Sequence, residues 1–104
     1  MKTRENNTPA LTREALESAA HCLRTLAHPI RLQIVALLLS DELTVGDLAS
    51  ACQVTPAAAS THLGLMKDRG ILRAERRGRE VYYLVDETAV SGIIDCLRNR
   101  FGQK

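Results

Sequence analysis

Tryptophan is absent from this 104-residue chain, and only Tyr82, Tyr83 and Phe101 are aromatic. A core must therefore be assembled from Leu, Ile, Val and Ala, a composition that suits helices packed on helices. Long apolar runs are missing as well. The longest, Ile34 to Leu39, has six residues, far short of the roughly 20 that cross a bilayer. The first ten residues, MKTRENNTPA, are polar and lack the apolar stretch that directs secretion. Cysteine is sparse and odd in number: Cys22, Cys52 and Cys96 lie far apart, which argues against a disulfide framework. These absences point to a cytoplasmic protein without a membrane partner.

Catalytic signatures are equally thin. No glycine-rich phosphate loop, no pair of histidines at helical spacing and no activated nucleophile set is present. The three histidines fall on three different expected helices or helix ends. The expectation is a protein that is not an enzyme and carries no cofactor.

The length suits one domain. Residues 1–10 read as a flexible arm, and 11–104 as a single folded unit. Thr12 is placed to cap a first helix whose Ala15, Leu16, Ala19, Ala20, Leu23, Leu26 and Ala27 recur at helical spacing. Glu14, Glu17, His21 and Arg24 take the opposite face. Pro29 ends that helix and opens a second, apolar over most of its circumference. Thr44 with Asp47 predicts the start of a short third helix through Cys52. Thr55-Pro56 starts a fourth, which Gly70 should end.

Beyond Gly70 the period changes to two. Ile71-Leu72 and Val81 to Val85 read as short strands joined by a turn around Arg77-Gly78-Arg79. A last helix from about Glu87 carries Val90, Ile93, Ile94, Leu97 and Phe101 on its apolar side. The fold class is mainly α with a two-stranded β wing, in the order α-α-α-α-β-β-α.

A short helix, a tight turn and a second capped helix form a helix-turn-helix, and the hairpin after it makes a wing. Net charge is only +2, yet Arg69, Arg73, Arg76, Arg77 and Arg79 stand against a single acid, Glu75, between positions 69 and 79. Such a patch is either a phosphate-contacting surface or a solvated charged hairpin. On the fourth helix the outward positions are Thr55, Ala57, Ala58, Ser60, Thr61 and His62, with Lys67 two turns on. Hydroxyls can bond phosphate or base edges, and alanines can pack on thymine methyls. Ser60 and Thr61 could equally be ordinary solvent-facing residues. His62 reads either as a DNA contact or as a structural histidine bonded to a neighbouring helix. Thr44, Arg76, Arg77 and Arg79 complete the candidate double-stranded DNA contacts. The alternative function is a winged-helix protein-interaction module with no inducer response.

Three segments carry a family resemblance: LRTLAHPIRLQIVALLL (Leu23 to Leu39), ELTVGDLASACQVTPAAASTHLGLMKDRGIL (Glu42 to Leu72) and RRGREVYYLV (Arg76 to Val85). In order and spacing they resemble the ArsR/SmtB family of repressors. The resemblance implies a homodimer through the first and last helices, a pseudo-palindromic operator, and release by a small inducer. The family's usual metal sites do not carry over. Its Cys-x-Cys stretch reads Thr44-Val45-Gly46 here, and its Asp-x-His pair reads Asp86-Glu87-Thr88.

The cysteines leave several readings open. Cys52 falls where a buried aliphatic residue is usual, so a structural thiol is expected. Cys22 and Cys96 border the apolar stripes of the two presumed interface helices. They could respond to thiol-reactive species, hold a soft metal or metalloid, or be inert. His21, beside Cys22, faces the polar side.

Overall fold

The computed structural model describes residues 9–102. The arm expected over 1–10 lies outside them except for Pro9 and Ala10, which are exposed and without regular structure.

Helix α1 spans Arg13–Leu26, and the Thr12 hydroxyl accepts from the Ala15 N–H at 3.0 Å. It ends one residue before the expected stripe does, with Ala27 as its C-cap. Helix α2, Pro29–Ser40, turns away from α1 by 98°. His28 between them is extended, and its ring Nδ1 accepts from the Ile30 N–H at 3.1 Å, capping α2. Proline disfavours a helical residue before it, so His-Pro makes a corner rather than a continuous helix.

Helix α3, Val45–Cys52, opens with a reciprocal cap. The Thr44 hydroxyl accepts from the Asp47 N–H at 3.1 Å, and the Asp47 carboxylate accepts from the Thr44 N–H at 3.2 Å. Gln53, at φ 58°, makes the left-handed turn that redirects the chain. Helix α4, Pro56–Asp68, follows, with the Thr55 hydroxyl accepting from the Ala58 N–H at 3.1 Å. Its end is a Schellman turn. Gly70, at φ +80°, donates to Lys67 and Ile71 donates to Met66.

Strands β1 (Leu72–Arg77) and β2 (Glu80–Val85) pair antiparallel, from Leu72↔Val85 to Arg77↔Glu80. The first strand is longer than expected. It takes Arg77 out of the expected turn and, with Arg73 and Arg76, into the ladder, leaving a two-residue loop of Gly78 and Arg79. Strand 1 has little apolar periodicity of its own, so its extent is decided by pairing with β2. Helix α5 spans Ala89–Phe101, starting two residues later than expected, and the Glu87 carboxylate accepts from the Ala89 N–H at 3.1 Å.

The core is aliphatic, as the shortage of aromatics requires. Leu26, Ile34, Val35, Leu48, Leu63, Met66, Ile71, Leu72, Val90 and Ile94 are buried together. Cys52 joins them at 7% exposure, in keeping with a structural thiol. The terminal helices are only half covered: Leu16 and Leu23 on α1 remain 49% and 52% exposed, and Phe101 on α5 69%. Among the described residues no single helix is long and apolar enough to cross a membrane.

Candidate nucleic-acid interface

Helix α4 divides cleanly between core and solvent. Ala59, Leu63 and Met66 are buried, whereas Thr55, Ala57, Ser60, Thr61 and Lys67 are exposed. Ala58 is half-buried. The Thr61 hydroxyl donates to the Ala57 carbonyl at 3.0 Å, which leaves its lone pairs free to accept. Helix starts also present unpaired N–H groups and a positive dipole end, both of which favour phosphate. The side-chain chemistry at this start is hydroxyl and methyl, with Lys67 the one cation of the helix.

His62 has a different place. Its ring turns toward α2, where Nδ1 accepts from Arg31 Nε at 3.1 Å and the His28 ring lies 4.7 Å away. Burial, then the charges of His28 and Arg31, hold the His62 pKa below the ordinary histidine range. Of its two readings, this geometry supplies the partners for the structural one.

The same junction holds a device that sequence reasoning missed. Thr25 is buried to 1% exposure, and its hydroxyl donates to the His21 carbonyl while accepting from Arg69 Nη1 at 3.2 Å. Arg31 Nη1 donates to the Thr25 carbonyl at 3.0 Å. One buried threonine thus ties the end of α1 to α2 and to the residue closing α4. The only signal in the sequence was a hydroxyl beside an apolar stripe.

The wing's arginines are not equivalent. Arg76 and Arg79 are exposed and, among the described residues, form no ion pair. Arg73 lies 3.5 Å from the Asp86 carboxylate. Arg77 is paired: its guanidinium meets Glu42 through both Nη atoms and Glu75 through Nε, and stands 4.7 Å above the Tyr82 ring. The bond from Arg77, and then its charge, pulls the Glu42 carboxyl below its usual range. Thr44 is half-buried beside this cluster, forming an antiparallel bridge with Tyr82 while it caps α3.

The cysteines of the terminal helices are placed apart from this surface. Cys22 is half-buried in a hollow of about 390 Å³ between α1 and the start of α5, beside Leu23, Glu87 and Ile93. Burial, then the nearby Glu87 charge, pushes its thiol pKa up. Cys96 is exposed on α5 and does not line that hollow. Among the described residues, no three His, Cys, Asp or Glu side chains are grouped to hold a metal ion.

The profile of the arsR family of bacterial regulatory proteins matches residues 28–74, from the start of α2 into β1. The biofilm growth-associated repressor of Xylella fastidiosa (strain Temecula1) is 30% identical over 102 residues, covering 94% of this chain and 90% of its own. This chain belongs to the arsR family.

Members of the family are transcriptional regulators, so the chain is a DNA-binding regulator built on a winged helix-turn-helix. Solved structures agree. HlyU from Vibrio cholerae matches with a TM-score of 0.82 at 29% identity, over 88% of this chain and 100% of that one. A winged helix-turn-helix DNA-binding domain from Mycobacterium bovis, described as homodimeric, matches with a TM-score of 0.74 at 26% identity. That match covers 96% of this chain and 89% of the other.

Proposed function

We propose that this arsR-family chain is a cytoplasmic homodimeric repressor that reads a pseudo-palindromic operator through paired α4 helices. The observation that carries the reading is the exposed, capped start of α4. Thr55, Ala57, Ser60 and Thr61 face solvent there while the opposite face is anchored in the core. Ala58 adds a half-exposed methyl. Thr44 and Lys67 supply phosphate contacts beside α4, and Arg76 and Arg79 supply them from the wing. Hydroxyls and methyls read bases weakly, so sequence preference leans on thymine methyls, water and DNA shape.

The dimer is supported by the uncovered apolar faces of α1 and α5. Leu16 and Leu23 lie on the first, Phe101 on the second, and a hollow of about 670 Å³ lined by Leu32, Ala36, Ile94, Leu97 and Phe101 opens between α2 and α5. The Mycobacterium bovis domain is a homodimer of similar fold. A two-fold pair would present two α4 helices to successive major grooves.

Selection from a randomised duplex pool tests the function. An enriched inverted repeat is expected, with affinity falling steeply from about 50 to 200 mM salt. Failure to enrich any sequence, with salt-insensitive binding to a protein instead, would favour the interaction-module reading.

Release by a small inducer belongs to the same proposal, with Cys22 and Cys96 as the responding thiols. Both lie on the helices assigned to the interface; Cys22 is half-buried and Cys96 exposed, whereas Cys52 is buried in the core. Polysulfide and arsenite are the probes, representing thiol-reactive species and soft metalloids. Operator release unchanged in both Cys22→Ser and Cys96→Ser would remove the thiols from the mechanism.

A further inference from the structure

Arg77 lies in an arginine-rich hairpin of a DNA-binding protein, yet all three of its guanidinium nitrogens already donate to carboxylates. Nη1 and Nη2 grip the two oxygens of Glu42 at 2.6 and 3.2 Å, a bidentate fork. Nε meets Glu75 at 2.6 Å, and the Tyr82 ring packs beneath. Two carboxylates against one guanidinium leave the cluster with a net negative charge. The charge of Arg77 is thus already offset by its own carboxylate partners, whereas Arg76 and Arg79 keep theirs.

Glu42 lies outside the hairpin, in the loop between α2 and α3. Two residues on, Thr44 caps α3 and pairs its backbone with Tyr82 of β2. The hairpin is thus fastened to the start of the helix-turn-helix by a backbone bridge and, beside it, by a forked ion pair. The base of the hairpin is held by Leu72 in the core, but the two-stranded ribbon beyond it has little stability of its own. These two fastenings hold the outer part of the wing against the start of α3, and α3 packs against α4.

We propose that Arg77 is a positioning residue, a strut holding the wing at a fixed angle to the reading helix, and that Arg76 and Arg79 make the wing's phosphate contacts. The proposal rests on the DNA-binding reading for its consequence but not for its geometry. Exposed ion pairs contribute little to global stability. What the strut supplies is orientation, which a planar bidentate fork enforces and a lysine does not.

Two measurements test this, one without DNA. Hydrogen exchange of the free protein is expected to quicken at the Thr44–Tyr82 bridge in Glu42→Gln, Arg77→Ala and Arg77→Lys, and to stay unchanged in Arg79→Ala. On the selected operator, Glu42→Gln, Arg77→Ala and Arg77→Lys should each weaken binding by about five-fold, on the scale of a small ion-pair coupling. The slope of log affinity against log salt should not change for these three. Arg79→Ala should flatten that slope by about 2 in a dimer, one released counterion per protomer.

Tighter binding by Glu42→Gln would mean that the carboxylates mask a phosphate contact. Retained affinity in Arg77→Lys, with a flattened slope in Arg77→Ala, would mean that Arg77 touches DNA. Either result overturns the strut, as does unchanged exchange in the three variants. If wild-type protein binds no duplex, the functional reading fails while the exchange data still decide the strut.

Discussion

Leu23 offers the sharpest test of the assembly on which operator reading depends. Fully burying a leucine side chain contributes about 1.5–3 kcal/mol. Leu23 is 52% exposed in the single protomer, so about 1 kcal/mol of that remains available to an interface. Two-fold symmetry presents the residue twice, and Leu23→Ala should therefore cost the dimer about 2 kcal/mol, a roughly 30-fold rise in its dissociation constant. Leu16, two turns earlier and 49% exposed, should behave alike. The substitution removes little from the protomer's own core, so circular dichroism should show an unchanged fold.

Sedimentation velocity over a concentration series reads the dissociation constant directly, with Arg79→Ala as a control that leaves it unmoved. A constant shared by wild type and Leu23→Ala within three-fold would refute the assignment of α1 to the interface. A wild-type protein sedimenting as a monomer at tens of micromolar, on the order of ordinary assay concentrations, would refute the dimer itself.

Three further outcomes follow from the packing around α4. Because His62 has a lowered pKa, the unfolded chain takes up its proton first as pH falls. The stability that the neutral ring contributes is thus complete above about pH 6.5 and is lost on acidification toward its folded pKa. Urea unfolding at pH 7 and pH 5 should show a larger loss in wild type than in His62→Gln, where an uncharged acceptor faces Arg31 and His28. Thr55→Ala removes the cap at the start of α4 and should cost about 1 kcal/mol by denaturant midpoint. Leu63→Ala, at a position with no exposure, should cost about 2–5 kcal/mol, and a loss below 1 would contradict its place in the core.

Local chemistry made the helices legible in advance. Thr12, Thr44 and Thr55 were recognisable as caps because a short hydroxyl side chain can satisfy helix-start N–H groups from within its own segment. Pro29 and Pro56 marked first helical positions for a similarly local reason, the missing N–H and the fixed φ. Gly70 announced the end of α4 because the left-handed turn needs no partner beyond the adjacent residues. The family-bearing segments were legible too, since order and spacing are properties of the chain.

Pairing and partner choice were not written locally. The extent of β1 came from its ladder with β2, which moved Arg77 from turn to strand. Nothing along the chain distinguished Arg77 from Arg79. One faces Glu42 across 35 positions of sequence and the other faces solvent. The two readings of His62 likewise separated only when α2 brought His28 and Arg31 against it. Sequence alone determined where backbone N–H groups are capped and which residues are apolar enough to be buried. Tertiary structure decided which charges are already neutralised, because an ion pair or a buried hydrogen bond depends on distance through space and falls away within a few ångströms.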